Sequence, residues 1–397
     1  MPLVAPVRLT LAAVLLVIVG STAAAAQTGG PLLVADNVAT AASAPDLVAS
    51  PLVVPSGLGQ PGHSVRLPAG FSISLLATGL AHPRFMLFDP AGNLLVADMA
   101  GQVFRFGPSD LPSASPPAPL LQGLDAPSNL AFHDGGLYVG ETAAISRYAY
   151  DPASGSVGAR QVVVPDLPRG GHSTRTVVFG PDGGMFVSIG SSCNLCEERD
   201  NRRAAISRYA PDGSGGQLFA TGLRNAVGLA IQPSTGGLWA TVNERDNQGN
   251  EIPTDLVTAV QGGENFGWPG CQPPYAVPQD PGGDCTGVTP PTIGIQAHSA
   301  PLGLAFYTGQ SFPPDYGGDL FVAQHGSWNR TPPAEPKLLR VHFDAGLPTR
   351  VQDFATGWQD GSGNRWGRPV GITVTPDGSL VVSDDQTGVL YRIGYTS

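Results

Sequence analysis

Six short approaches, each just ahead of an apolar strand, carry the residues best suited to chemistry: HPR (82–84), PSN (127–129), HSTR (172–175), RN (224–225), HSAP (298–301) and WGRP (366–369). Five of the six hold an Arg or His where Ser or Gly ordinarily suffices. One arginine in such a place is a solvated or ion-paired surface group. Arg84, His172, Arg224, Asn225, His298 and Arg368 at matching positions form a constellation. Guanidinium forks give fixed donors for a polyanionic ligand, and imidazole moves protons near neutral pH. The chain carries a formal net charge of −10, so a focused cationic site is not a by-product of composition.

A second polar set closes the second strands: Asp98, Glu141, NERD (243–246), HGSWNR (325–330) and Asp384–Asp385. Carboxylates and carbonyls on tight loops suit a hard cation such as calcium, and equally suit acidic turns in water. The NERD loop is the best cation candidate, being polar, Gly-flanked and next to the Arg224–Asn225 strand.

These positions converge only if the elements that carry them repeat around one axis. A hairpin pattern of apolar strand, Gly/Asp turn and second apolar strand recurs six times: 85–98, 130–141, 177–190, 229–243, 304–324 and 372–385. The second strands start at Leu94, Leu137, Met185, Leu238, Leu320 and Leu380, giving spacings of 43, 48, 53, 82 and 60 residues. Such periods mark propeller blades. Third strands read VFRFG (103–107), ISRYA (145–149 and 206–210), LLRVHF (338–343) and VLYRIGY (389–395). FSISLLATGL (71–80) is a fourth strand with no first three before it, and the chain ends on a third strand. The sequence therefore predicts an all-β, six-bladed β-propeller closed by an N-terminal strand that completes the last blade, which leaves no sheet edge bare.

Residues 1–26 read as an export signal: Arg8, an apolar run from Leu9 to Gly20, then small residues up to a cleavage point near Ala26. Residues 27–66 are rich in Ala, Pro, Ser and Val and read as a linker or loosely docked segment, with the propeller at 67–397. The product is expected to be secreted or periplasmic, with no membrane span after cleavage, and its acidity excludes nucleic acid as a partner. Of 21 basic residues only Lys337 is a lysine. In an oxidising compartment the four cysteines suit two bridges, Cys193–Cys196 and Cys271–Cys285, better than zinc, because the second pair is not a knuckle.

GLRNAVGLA (222–230), the NERD loop, GENFGWPGC (263–271), HSAPLGLAFY (298–307), HGSWNR, WGRPVG (366–371) and SSCNLCEERDNRRAAISRY (191–209) resemble the soluble, propeller-type sugar dehydrogenases that use pyrroloquinoline quinone (PQQ), in their sorbosone and pyranose branch. The resemblance implies His172 as the base that takes the sugar's hydroxyl proton, and Arg224 with Asn225 as binders of quinone oxygens and carboxylates. It places Arg84 and Arg368 on carboxylates, and the backbone carbonyls of Glu244 and Arg245 on a calcium ion. His298, Trp328, Arg330 and Lys337 fall in segments that line the cofactor or sugar site in relatives. Two departures stand out. Val227 replaces the glutamine of the glucose-oxidising branch, so glucose specificity does not carry over. TPPAEPKLL follows HGSWNR where relatives show a Gly-aromatic pair, so Lys337 is given no role.

The expectation is a PQQ- and calcium-dependent oxidoreductase that oxidises an aldose, sorbosone or related pyranose and passes electrons to an external acceptor, a cytochrome or quinone. No G-x-G-x-x-G leads a strand into a helix, which removes support for a nicotinamide or flavin site of the Rossmann kind. Two other readings use the same scaffold: a calcium-dependent lactonase, and a non-catalytic propeller that binds protein or glycan.

Overall fold

The computed structural model describes residues 33–34, 46–58, 62–273, 277–279 and 283–396. The export-signal reading falls outside them. From the axis outward, blade 1 is Pro83–Phe88, Leu94–Asp98, Gln102–Phe106 and Leu121–Gln122. Blade 2 is Asn129–His133, Gly136–Glu141, Ala144–Asp151 and Gln161–Val164. Blade 3 is Arg175–Phe179, Met185–Ile189, Ala205–Tyr209 and Gln217–Thr221. Blade 4 is Ala226–Ile231, Leu238–Val242, Asp255–Val260 and Ile293–Ile295, with Leu33–Val34 added in parallel at its edge. Blade 5 is Pro301–Phe306, Leu320–Gln324, Lys337–Asp344 and Leu347–Ala355. Blade 6 takes Pro369–Val374, Leu380–Asp384 and Val389–Tyr395 from the C-terminus and Phe71–Ala77 from the N-terminal side, as the overhangs predict.

Each innermost strand packs on that of the next blade, and Pro369–Val374 closes onto Pro83–Phe88. Alternation of side chains across each strand builds one apolar layer per blade interface. Leu94 and Val96 face blade 6 while Leu95 and Ala97 face blade 2. Phe321 and Ala323 likewise face blade 6, and Leu320 and Val322 face blade 4. Both faces are buried, which is why these strands are apolar throughout. Phe85, Val227, Leu302 and Val370, from four inner strands, meet as one cluster at the axis.

Tight packing at the axis also explains a shared glycine. Gly228, Gly303 and Gly371 occupy equivalent places in AVGLAI, PLGLAF and PVGITV. A Cβ there would lie 2.1, 2.5 and 2.5 Å from the carbonyl oxygens of Leu302, Val370 and Arg84 on the next blade. Hydroxyls tie the same carbonyls: Thr241 Oγ1 donates to Leu302 O at 2.6 Å and Ser383 Oγ to Arg84 O at 2.6 Å. Gly228→Ala is therefore expected to lower stability by about 1–3 kcal/mol through overpacking, measurable as a reduced denaturation midpoint with an unchanged m-value.

One part of the chain differs from the sequence reading. Val48–Val53, within 27–66, and Ser64–Leu67, across its end, are strands that extend blade 6 past Phe71–Ala77. The long excursion in blade 4 follows a third strand, Asp255–Val260, that precedes the Cys271–Cys285 loop.

Candidate active site

The approach segments all lie at one end of the ring, and buried carboxylates fix them there. Asp98 accepts the backbone N–H groups of Ala81 and His82 at 2.8 and 3.0 Å. Asp384 accepts that of Arg368 at 2.7 Å, and Glu141 that of Asp125 at 2.9 Å. These three residues, read from sequence as possible cation ligands or wet turns, are structural acceptors that hold the loops carrying the site. Within that set Asp385 faces Arg84 and Arg368, and Asp246 faces Arg224.

His172 follows Gly171, whose Cβ would meet the Ser192 backbone at 2.4 Å, so the loop is pressed against its neighbour. The imidazole Nδ1 lies 2.9 Å from the Ser191 carbonyl, which can only accept, so Nδ1 carries the proton and Nε2 is left as a bare acceptor. Burial lowers its pKa to about 4, with the Arg224 charge adding to the effect and the Ser191 bond opposing it. The ring is thus neutral at physiological pH and holds its lone pair ready. Arg175 and Arg203 brace this loop from behind: Arg175 donates to His172 O at 2.8 Å, and Arg203 to Gly190 O at 3.1 Å and Gly170 O at 2.9 Å. Sequence reasoning missed both. For Arg175 the available signal was an arginine opening a strand buried on both faces, where it cannot be solvated; Arg203 lies in the turn ahead of its strand and carried no such signal.

Asn225 meets His172 across Gly190, where a Cβ would lie 2.3 Å from Asn225 Oδ1 and 2.7 Å from His172 Cβ. That Oδ1 is buried with no hydrogen-bond partner. Arg224 is the reverse case. Its five N–H groups go to Asn194 O (3.1 Å), Asn243 O (3.3 Å), Glu244 O (2.7 Å), Asn194 Oδ1 (2.9 Å) and Asp246 Oδ2 (2.9 Å). The arginine expected to grip a ligand directly is fully engaged by the protein. What it offers a ligand is its charge, and the placement of Asn225 beside it.

Unspent donors sit across the mouth. Arg84, only 8% exposed, gives Nη1 to Asp385 at 2.9 Å while its Nε has no partner. Arg368 gives Nε to the same carboxylate at 3.0 Å, and His325 Nε2 lies 2.9 Å from it. Burial alone would raise Asp385, but the His325 hydrogen bond and the two guanidinium charges outweigh it and hold the carboxylate well below its ordinary range. Burial takes His325 down to about 4, so it donates to Asp385 as a neutral ring. Two guanidiniums thus share one carboxylate, and a net positive charge remains. The 325–330 loop joins the two groups: its His325 belongs to this one, while Asn329 donates to Asp246 at 2.8 Å beside Arg224.

A single family description covers this arrangement, matching residues 65–286 and 250–396. The chain belongs to the TrAA12-like family. A pyrroloquinoline quinone-dependent sugar dehydrogenase of Hypocrea jecorina is 27% identical over 391 residues, spanning 81% of this chain and 87% of its own. The holo PQQ domain of pyranose dehydrogenase from Coprinopsis cinerea superposes with a TM-score of 0.73 at 24% identity, over 86% of this chain and all of that domain. A calcium structure of the Trichoderma reesei family AA12 enzyme gives 0.72 at 24% identity, over 86% of this chain and all of that one. The two structures share the fold.

The remaining sequence-predicted positions of this TrAA12-like chain divide by what their side chains touch. Trp328 is 75% exposed on the rim. Arg330 pairs with Glu251 at 2.9 Å and Asn250 O at 3.2 Å, bracing the neighbouring loop. His298 has Nε2 at 2.7 Å from Gly249 O and 3.1 Å from Ile252 O, with Nδ1 accepting from Asn329 at 3.4 Å. Both its nitrogens are taken by the protein, so it holds loop 249–252 in place of presenting a free donor. Lys337 pairs with Asp353 on the outer strand at 2.8 Å. Arg245 is fully buried and donates to Pro269 O at 3.0 Å and Cys271 O at 2.5 Å, with Glu244 buried against it. Glu244 Oε1 is buried with no hydrogen-bond partner, so it remains for a cation together with the backbone carbonyls of these two residues. Both disulfides are formed, so the sulfurs of Cys193 and Cys196 are bonded to each other and free of metal.

Proposed function

We propose that this chain is an exported, PQQ- and calcium-dependent sugar dehydrogenase, with residues 67–397 as its catalytic domain. One observation carries the reading. A neutral His172 with a bare Nε2 stands beside the orphaned Asn225 Oδ1, and the same end of the ring carries Arg84 and Arg368, whose donors exceed the single carboxylate they share. Bound PQQ would supply three carboxylates and an ortho-quinone able to accept a hydride. Arg84 and Arg368 have the unspent N–H groups that such carboxylates require. His172 Nε2 takes the proton from the hydroxyl of an aldose, sorbosone or related pyranose, and the neutral ring needs no prior proton loss to do so. The carbonyls of Glu244 and Arg245 are the groups for calcium; the Glu244 oxygen already accepts from Arg224 and keeps a second lone pair. Exposed Trp328 offers a flat face at the rim for sugar or acceptor. An external cytochrome or quinone would be the acceptor of the electrons that bound PQQ takes up.

A calcium-dependent lactonase on this scaffold would hold its metal through Glu, Asp and Asn side chains. Among the described residues the only group of three His, Cys, Asp or Glu side chains close enough to share an ion is Cys193, Cys196 and Glu198, whose sulfurs form a disulfide. The test is direct. The purified chain is titrated with PQQ and calcium, and dye reduction is followed across a panel of aldoses and sorbosone. Micromolar PQQ binding with calcium-requiring dye reduction is expected; a chain that binds no PQQ at those levels overturns the proposal.

A further inference from the structure

The Cys193–Cys196 bridge lies in blade 3, yet what it holds belongs to the site. Between the two cysteines stands Asn194, and nearly all of its hydrogen-bonding capacity points away from its own blade. Its carbonyl accepts from Arg224 Nε at 3.1 Å and from Trp268 Nε1 at 3.1 Å. Its Oδ1 accepts from Arg224 Nη2 at 2.9 Å and from the Asp246 N–H at 2.7 Å, and its Nδ2 donates to Asp246 O at 3.0 Å. The residues just before the bridge do the same for the base. Ser191 O accepts from His172 N and Nδ1 at 3.0 and 2.9 Å, Ser191 N donates to Arg224 O at 2.8 Å, and Ser191 Oγ donates to Cys193 O at 2.6 Å. Both cysteines are half-buried, so a small thiol can reach them.

We infer that the Cys193–Cys196 bridge is a thiol-sensitive latch that positions Arg224, the 243–246 loop and the His172 loop through Asn194 and Ser191. A short ring with four residues between and including its cysteines allows Asn194 little freedom. Opening it releases that residue, and with it the only side chain among the described residues that bonds both Arg224 and the Asp246 backbone. The chemistry is ordinary exchange. A dithiol such as dithiothreitol gives two electrons and two protons, the S–S bond breaks, two cysteine thiols form, and the dithiol leaves as its own disulfide. Asn194 is a positioning residue here, since its hydrogen bonds go to Arg224, Trp268 and Asp246. The consequence for ligand affinity rests on the proposed PQQ site; the loosening of the loop does not.

The experiment uses the whole chain in four forms: wild type, Cys193→Ser/Cys196→Ser, Asn194→Ala and the triple variant. In ligand-free protein, amide hydrogen exchange at Asp246 and Ser191 should speed up by about tenfold in all three variants, and on treating wild type with dithiothreitol, while Arg175–Phe179 keeps its protection. Added PQQ should bind about tenfold more weakly in each variant, the equivalent of ~1.4 kcal/mol. The triple variant should match the others, not multiply their effects, because bridge and side chain act as one device. Unchanged exchange at Asp246 after the bridge opens would overturn the latch, as would losses that multiply in the triple variant. Faster exchange in a wild type that binds no PQQ would leave the latch standing and remove the cofactor reading.

Discussion

Replacing His172 by alanine should cut sugar-dependent dye reduction by about 10²–10⁴-fold, the range for loss of a positioned general base, while PQQ binding persists. The expectation follows from the ring's surroundings. Its Nδ1–H is committed to Ser191 O, so the other nitrogen has one available role, accepting a proton. His172→Gln keeps a polar group of similar reach without the basicity, and should be as slow as alanine. The pH dependence sharpens the test. Burial and the Arg224 charge keep the ring neutral down to about 4, so kcat/KM should hold its value as pH falls through 6.5, the ordinary histidine range, and drop only near 4. An acid limb near 6.5 would mean that the imidazole is solvated or is not the base. Equal activity in wild type and His172→Gln would remove it from the chemistry.

The fold was legible because every second strand is sandwiched between blades. A run such as LLVAD, apolar on both faces and bounded by Gly turns, has few other homes. The closing strand could be read from its missing partners. Strands joined by no hairpin were harder. Asp255–Val260 is followed by a long disulfide-bearing excursion, and Val48–Val53 pairs in parallel with Phe71–Ala77 across a sheet edge, which no turn residue announces. At the site, register within the repeat was enough to bring His172, Arg224 and Asn225 together, because equivalent strand entrances share one end of the ring. Register says nothing about where donors point. Arg224 spends all its N–H groups on the protein, His298 both its nitrogens, and Arg245 turns inward to the Cys271 loop. The His325–Asp385 pair spans 60 residues and two blades, and neither residue hints at the other. Chain position determines who is near the axis, and packing determines what remains free to bind.

That distinction leads to the second large effect. Asp385→Asn should destabilise the ligand-free protein by about 3 kcal/mol, the lower end for removing one partner of a buried ion pair. The lower end applies because the Arg84 side chain is only 9% exposed while that of Arg368 is 36% exposed and keeps part of its hydration. Asparagine fills the same space and still accepts from His325, so the loss measures charge more than shape. The variant leaves two guanidiniums facing the mouth with no protein counter-ion. If Arg84 and Arg368 are the groups that receive ligand carboxylates, an anionic ligand then supplies what Asp385 no longer does. The rise in thermal midpoint on adding saturating PQQ should accordingly be larger in Asp385→Asn than in wild type. High salt should shrink the difference in part, since the Arg84 side chain is shielded from solvent while that of Arg368 is partly exposed. A ligand-induced rise that disappears with the aspartate would show that the two arginines serve Asp385 alone and that carboxylate recognition lies elsewhere around the ring.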